Sequence, residues 1–106
     1  MLRRIDRGAV PDIADVETTS VLRRQWLRGF LSLEAFERSL EHLAELPFSR
    51  YPAIPLLPRV FDLRSNLTPY DAVYVALAEA LDCPLLTADR RLARSPGIRC
   101  EVQLVG

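Results

Sequence analysis

Apolar residues recur at helical spacing through the first half of the chain. From Asp12 to Arg28 the apolar residues follow rough helical spacing, with acidic residues in the first turns and arginines in the last. That charge order suits the helix dipole. The apolar residues of this stretch are Ile13, Val16, Val21, Leu22 and Leu27. Gly29 then ends this helix, and Ser32 can cap a second one that stops before Pro47. The pattern therefore predicts a helical hairpin.

The second half alternates short helices with short apolar runs. It predicts a strand over 48–51, a short helix over 56–65, a helix from Pro69 to about Leu81, a strand over 85–87, a short turn or helix over 90–94 and a final strand over 100–105. Residues 85–87 form an apolar stretch typical of a buried parallel strand. The alternation predicts an α/β fold with a central parallel sheet.

Length and charge narrow the functional classes. A chain of 106 residues predicts a single domain over 1–106. Its 14 positive and 14 negative charges exclude a broadly basic nucleic-acid binder or an acidic tail. Every positive side chain is arginine, which excludes a P-loop and Schiff-base chemistry. The sequence has neither a signal peptide nor a membrane-spanning stretch, so we expect a cytoplasmic location.

Cysteine usage argues against two kinds of site. Only Cys83 and Cys100 occur, without a CxxC pair, so neither a zinc site nor a disulfide framework is indicated. We expect two free thiols in a reducing compartment.

Two carboxylates of the second half flank the same predicted strand. Asp89 follows the strand 85–87, and Asp71 lies in the first turn of the helix before it. Ligands of parallel sheets bind beyond the carboxyl ends of the strands, so the fold can bring both side chains to one rim. Two converging carboxylates suit Mg²⁺ or Mn²⁺, with a water that attacks a phosphodiester.

Each acidic residue also has a purely structural interpretation. In this interpretation Asp71 only completes a capping box with Thr68, and Asp89 only caps the turn that begins at Arg90. Glu17, near a helix start, is typical of a solvated side chain favoured by the dipole. Spacing alone leaves both interpretations open.

Other candidate residues carry weaker signals. Arg64, Arg90 and Arg91 bracket the proposed rim in sequence and can hold RNA phosphates, although unpaired surface arginines are commoner. His42 falls on the polar face of its helix and is assigned no role. The aromatic residues around the Gly29 turn are expected to be core rather than an exposed partner surface. They are Trp26, Phe30 and Phe36.

Two stretches of the second half, residues 66–79 and 85–92, resemble PIN-domain ribonucleases of the VapC toxin type. Residues 12–17 and 21–24 resemble the family segment that supplies an acidic residue on its second helix. The resemblance implies a three-layer PIN-like fold with a central parallel sheet. It assigns Glu17, Asp71 and Asp89 as the catalytic carboxylates that hold Mg²⁺ or Mn²⁺, with Thr87 as a ligand to a metal-bound water. It also implies RNA hydrolysis, a VapB-type antitoxin and a homodimer.

The family pattern opens with a strand ending in its first aspartate, and this part has no counterpart here. Asp6 follows no apolar strand and does not replace that aspartate. We expect a domain incomplete at its N-terminus by roughly 25 to 30 residues, the length of one strand and a crossover helix. Two hypotheses follow, an Mg²⁺-dependent endoribonuclease toxin and a catalytically inactive remnant that binds an antitoxin or a second chain. A third, a phosphate-handling α/β domain of another kind, is disfavoured because the chain has no lysine and no Gly-rich loop.

Overall fold

The computed structural model of the protein describes residues 8–105, and the interpretation of Asp6 lies outside these residues. The chain divides into two compact units, residues 1–50 and residues 51–106. Each unit is described by itself below.

The first unit is built around the predicted helical hairpin. Strand β1 (Ala9–Pro11) leads into helix α1 (Ala14–Leu27), which is followed by helix α2 (Leu33–Glu45) and strand β2 (Ser49–Tyr51). The two short strands pair. The end of α1 and the start of α2 are each set by a residue next to the turn. Gly29 adopts a positive φ of 81° just past α1, and the Ser32 hydroxyl accepts a hydrogen bond from the Ala35 amide at the start of α2.

An arginine clamp holds the two ends of this hairpin. The Arg50 guanidinium donates to both carboxylate oxygens of Asp15, at 2.8 and 3.2 Å. It also donates to the carbonyls of Leu43 and Leu46, at 2.8 and 3.1 Å. These carbonyls lie at the end of α2, where the helical hydrogen bonds end and the Leu43 carbonyl accepts a long bond of 3.3 Å from the Leu46 amide. Arg50 therefore joins the start of α1 to the end of α2.

The prediction that the aromatic residues around Gly29 form a core is wrong for Phe30 and for Trp26. Its side chain is 75% exposed, and that of Trp26 is 38% exposed. Phe30 lies in the turn after α1 and before α2, so neither helix covers it. Trp26 does pack against Phe36, with ring centroids 6.1 Å apart. The hairpin thus has an aromatic contact but an exposed apolar turn.

The second unit contains the remaining elements. A 3-10 turn (Ile54–Leu56) continues into helix α3 (Leu57–Asp62), followed by helix α4 (Pro69–Leu81), strand β3 (Leu85–Thr87), helix α5 (Arg90–Arg94) and strand β4 (Val102–Leu104). Strands β3 and β4 are parallel, with Leu85 opposite Val102. The predicted parallel pairing is confirmed, and the alternation of helices and strands gives an α/β fold.

Helix α4 forms the centre of the core of this unit. Six of its residues are buried, namely Ala72, Val73, Val75, Ala76, Leu77 and Ala78. Their small and β-branched side chains let α3 and β3 approach closely. Other segments of the unit add Val60, Leu63, Leu67, Leu85 and Leu92 to this core. Ala80, three residues after the buried Leu77, is exposed because burial ends before the last turn of α4.

An ion pair ties α3 to α4. The Arg59 guanidinium donates to both carboxylate oxygens of Glu79, at 2.7 and 3.1 Å, and the Arg99 amide donates to Oε2 at 2.7 Å. Burial alone raises the pKa of Glu79, but the hydrogen bonds from Arg59 and Arg99 outweigh it and hold that pKa below its ordinary value. Arg59 also donates to the Gly97 carbonyl at 2.6 Å. The pair therefore anchors the loop before β4 as well as the two helices.

Candidate active site

Asp71 lies in the first turn of α4, as the sequence predicts. The Thr68 side chain caps this helix and accepts a hydrogen bond from the Asp71 amide at 3.2 Å. Pro69 fills the first helical position, where the missing amide costs nothing. The cap uses the backbone of Asp71, and within residues 8–105 its half-buried carboxylate has neither an ion pair nor a hydrogen bond. The structural role of this turn leaves the carboxylate available for chemistry.

Asp89 comes two residues after the end of β3 and is the N-cap of α5. Its Oδ1 accepts hydrogen bonds from the amides of Arg91 and Leu92, at 2.9 and 3.4 Å. Thr87 fixes the same turn, because its hydroxyl oxygen accepts from the Asp89 amide at 3.1 Å. Oδ2 has no hydrogen-bond partner among the described residues, and the side chain is 40% exposed. Asp89 thus fulfils its structural role with one oxygen and presents the other.

Glu17 lies in α1 and therefore in the first unit, whereas Asp71 and Asp89 belong to the second. Its side chain is half-buried and its amide donates to the Ile13 carbonyl at 3.0 Å. Across residues 8–105, no three His, Cys, Asp or Glu side chains form a group that could hold a metal ion. A site shared by all three carboxylates stays a prediction.

The donor atoms of the second unit suit a hard cation. Asp71 and Asp89 contribute carboxylate oxygens and Thr87 a hydroxyl. Mg²⁺ keeps several waters and is commonly held by only one or two carboxylates together with substrate phosphates. These residues fit such an ion in type, whereas a zinc site would need nitrogen or sulfur ligands. His42 is exposed on α2.

The three candidate RNA-binding arginines differ in how firmly their side chains are held by neighbouring residues. The Arg64 guanidinium stacks over the Phe61 ring at 4.1 Å and donates to the Phe61 carbonyl at 3.0 Å. Arg90 is exposed, and the Arg91 side chain is 93% exposed with its Nε 3.8 Å from Asp89 Oδ1. A pair so exposed contributes little to stability. Arg90 and Arg91 can therefore turn toward a phosphate more easily than Arg64.

The structure also relates two residues that the sequence treats separately. Cys83 and Cys100 are both free thiols, as expected, and both line a groove of about 370 Å³ at the end of α4. The sequence contained a sign of this arrangement, because each cysteine lies two residues before the first residue of the strand that follows it, Leu85 or Val102. The register of β3 and β4 was needed to connect them.

The sequence matches the PIN domain family over residues 1–98. It is 48% identical to Ribonuclease VapC1 of Mycobacterium tuberculosis over 96 residues, which cover 90% of this chain and 72% of that protein. It is 42% identical to Ribonuclease VapC9 of the same organism over 100 residues, covering 94% of this chain and 79% of that protein. VapC ribonuclease Mb0985 of Mycobacterium bovis shows the same identity and coverage.

Proposed function

Because this chain belongs to the PIN-domain family and resembles its VapC ribonucleases along nine-tenths of its length, we propose that it is a metal-dependent endoribonuclease toxin of a VapBC pair. The observation that carries the proposal is the 48% identity to a ribonuclease over 96 residues. Half-exposed carboxylates at the start of α4 and after β3 support it. In this proposal the protein acts in the cytoplasm, on RNA and under the control of an antitoxin.

In this proposal Asp71, Asp89 and Glu17 are the catalytic carboxylates and hold Mg²⁺ or Mn²⁺. When bound, such an ion stabilises the charge that develops on the phosphodiester and activates the attacking water. The cap of α5 orients Asp89, because two amides fix Oδ1 and so direct Oδ2 outward. The Thr87 hydroxyl accepts from the Asp89 amide and keeps its own proton to donate to a water.

Arg90 and Arg91 bind the RNA backbone beside these carboxylates. Both follow Asp89 directly and both are exposed, so they can neutralise phosphates next to the cleaved bond. Arg64, which is stacked on Phe61, contributes a fixed positive charge in the same unit. Such contacts position the RNA without reading its bases, and the proposal assigns no sequence preference.

A VapB-type antitoxin binds the exposed apolar surface of the helical hairpin. The side chains of Val16, Leu27, Phe30 and Leu33 are 71%, 56%, 75% and 60% exposed. Monomeric proteins rarely leave apolar groups of this size in water unless they contact a partner. A second copy of the chain is the competing occupant, and size-exclusion chromatography of the chain with and without antitoxin distinguishes the two.

The catalytic proposal is tested by incubating the purified chain with structured RNA and Mg²⁺. We expect cleavage that EDTA abolishes and that Asp71→Asn reduces strongly, because the substitution removes a charged ligand and keeps the backbone amide of the cap. Thr68→Ala is the matched control, since it weakens the same helix start by about 1 kcal/mol and leaves the carboxylate in place. Equal cleavage by wild type and Asp71→Asn would refute the proposal.

An inactive binding protein is the second candidate, and the exposed hairpin favours it because that surface contains neither Asp71 nor Asp89. It predicts binding of the antitoxin without any metal-dependent cleavage of RNA. Retention of antitoxin by Asp71→Asn, together with an inactive wild type, would select this candidate.

A further inference from the structure

We propose that Cys83 and Cys100 form a reversible intramolecular disulfide that staples the beginnings of β3 and β4 together. The inference rests on the geometry of the second unit and does not require the proposed ribonuclease activity. It replaces the expectation of two independent thiols with a redox-sensitive pair. The loop that it closes contains Thr87, Asp89 and the α5 arginines.

The strand register brings the two cysteines to the same end of the β3–β4 pair. Leu85 is paired with Val102 at the start of the parallel ladder, and Cys83 and Cys100 each lie two residues before that pair, just outside the ladder. The Leu85 amide donates to the Glu101 carbonyl at 2.9 Å, which holds the chains together next to both cysteines. Neighbouring strands lie about 4.8 Å apart, and a disulfide needs Cα atoms about 4.4 to 6.8 Å apart. Both cysteines also line the same groove.

Hydrogen bonds fix the backbone on both sides of the pair. Asp82 takes the left-handed conformation at the end of α4, with φ 53°. The Asp82 and Cys83 amides then donate to the Glu79 and Ala78 carbonyls, at 3.2 and 3.0 Å. This is a Schellman cap, and it holds Cys83 against the helix end.

Glu79 holds the other cysteine in place. Its Oε2 accepts from the Arg99 amide at 2.7 Å, one residue before Cys100. The carboxylate is itself held by Arg59. Both cysteines are therefore anchored to the same turn of α4, and little chain entropy remains to be lost when the bond forms.

A groove gives an oxidant access to both thiols. It has a volume of about 370 Å³ and is lined by residues that include Glu79, Pro84 and both cysteines. Each cysteine is half-buried. Burial, and next the Glu79 carboxylate, raise the pKa of the Cys100 thiol, which lowers the fraction of it that is thiolate.

The chemistry needs a two-electron oxidant, for which a peroxide is the simplest. The thiolate of one cysteine attacks one peroxide oxygen and breaks the O–O bond, giving a sulfenic acid and a hydroxide that takes up the proton lost by that thiol and leaves as water. The thiolate of the other cysteine then attacks the sulfenic sulfur and displaces hydroxide, which takes up the proton lost by the second thiol and leaves as water. Two thiols and one hydrogen peroxide thus give one disulfide and two waters.

The test treats the folded, reduced chain with equimolar hydrogen peroxide and follows its mass and thiol content. We expect a monomer lighter by two hydrogen atoms, with neither thiol reactive to maleimide. Trypsin should then release residues 65–90 linked to residues 100–106, since cleavage occurs after Arg64, Arg90 and Arg99. Dithiothreitol should separate the two peptides.

Two comparisons make the result decisive. Closure should be faster in the folded chain than in urea, because the register positions the sulfurs, and its rate should not depend on protein concentration. The oxidised chain should also unfold at a temperature roughly 10 °C higher than the reduced one. Cys83→Ser and Cys100→Ser, tested singly, should lose this shift. Disulfide-linked dimers, overoxidised cysteines or equal closure rates in urea would overturn the proposal.

Discussion

Replacing Asp89 by asparagine or by alanine separates the two roles that its carboxylate can have. Oδ1 caps α5 through the Arg91 and Leu92 amides, at 2.9 and 3.4 Å. Asparagine has an oxygen in the same position and is as good an N-cap as aspartate, whereas alanine has none. Only aspartate offers a charged oxygen to a cation. Asn and Ala therefore remove the same charge but only Ala removes the cap.

The structure sets the size of each effect. Of the two bonds to Oδ1, the shorter has good geometry and the longer is weak. The side chain is 40% exposed, so water can reach the amides once the cap is lost. Asp89→Ala should cost about 1 kcal/mol, which lowers the unfolding temperature of a domain of this size by about 4 to 8 °C. Asp89→Asn should cost only a few tenths of that energy, from the loss of charge at the N-terminus of a short helix.

The assay pairs thermal unfolding with Mg²⁺-dependent cleavage of RNA. Both variants should lose about 10²- to 10³-fold in cleavage, because each removes a charge that stabilises the transition state. Only Asp89→Ala should unfold earlier. If Asp89→Asn cleaves RNA at the wild-type rate, the carboxylate is a cap and nothing more. If Asn lowers the unfolding temperature as much as Ala does, the reasoning about Oδ1 is wrong.

Other predictions concern stability, pH and partners. Glu79→Gln should lower the free energy of unfolding by about 2 kcal/mol in urea denaturation, because it leaves the Arg59 guanidinium without its charged partner. The folded-state pKa of Glu79 lies below its ordinary value of 4.5, so its contribution is complete above that pH and is lost as the pH falls further. Glu79→Gln should accordingly flatten the acid side of a stability profile, and an unchanged profile would contradict the assignment. Replacing Arg90 and Arg91 by serine should weaken RNA binding and reduce its salt dependence by about one charge per arginine, measured as the slope of log K against log salt. Phe30→Ser should weaken antitoxin binding in a titration and leave the unfolding temperature nearly unchanged, because its side chain is 75% exposed.

The ends of helices were predictable from the sequence wherever a capping or turn residue lies next to them. Thr68 and Pro69 set the start of α4, Ser32 the start of α2, and Gly29 the end of the hairpin's first helix. Each acts through the backbone of residues only a few positions away, so the sequence is sufficient. The parallel strand over 85–87 was also predictable, from a short apolar run between a helix and a turn.

Burial was less predictable than helix limits. Phe30 was expected in a core and is exposed, because an aromatic residue beside a turn has no neighbour until the helices are placed. Ala80 follows the apolar period of α4 yet is also exposed, since burial stops one turn before that helix ends. Periodicity identifies a face, but the length of the contact depends on the elements that pack against it.

The sequence by itself determined the order of helices and strands, the caps that begin them, the absence of lysine chemistry and the resemblance to a ribonuclease family. These properties depend on residue type and on short spacings. Only the tertiary structure decided that Arg59 pairs with Glu79, that Arg50 pairs with Asp15, and that Cys83 and Cys100 line one groove. Such contacts join positions 17 to 35 residues apart. No local rule fixes them, because helix packing and strand register arise only when distant segments bury their apolar faces together.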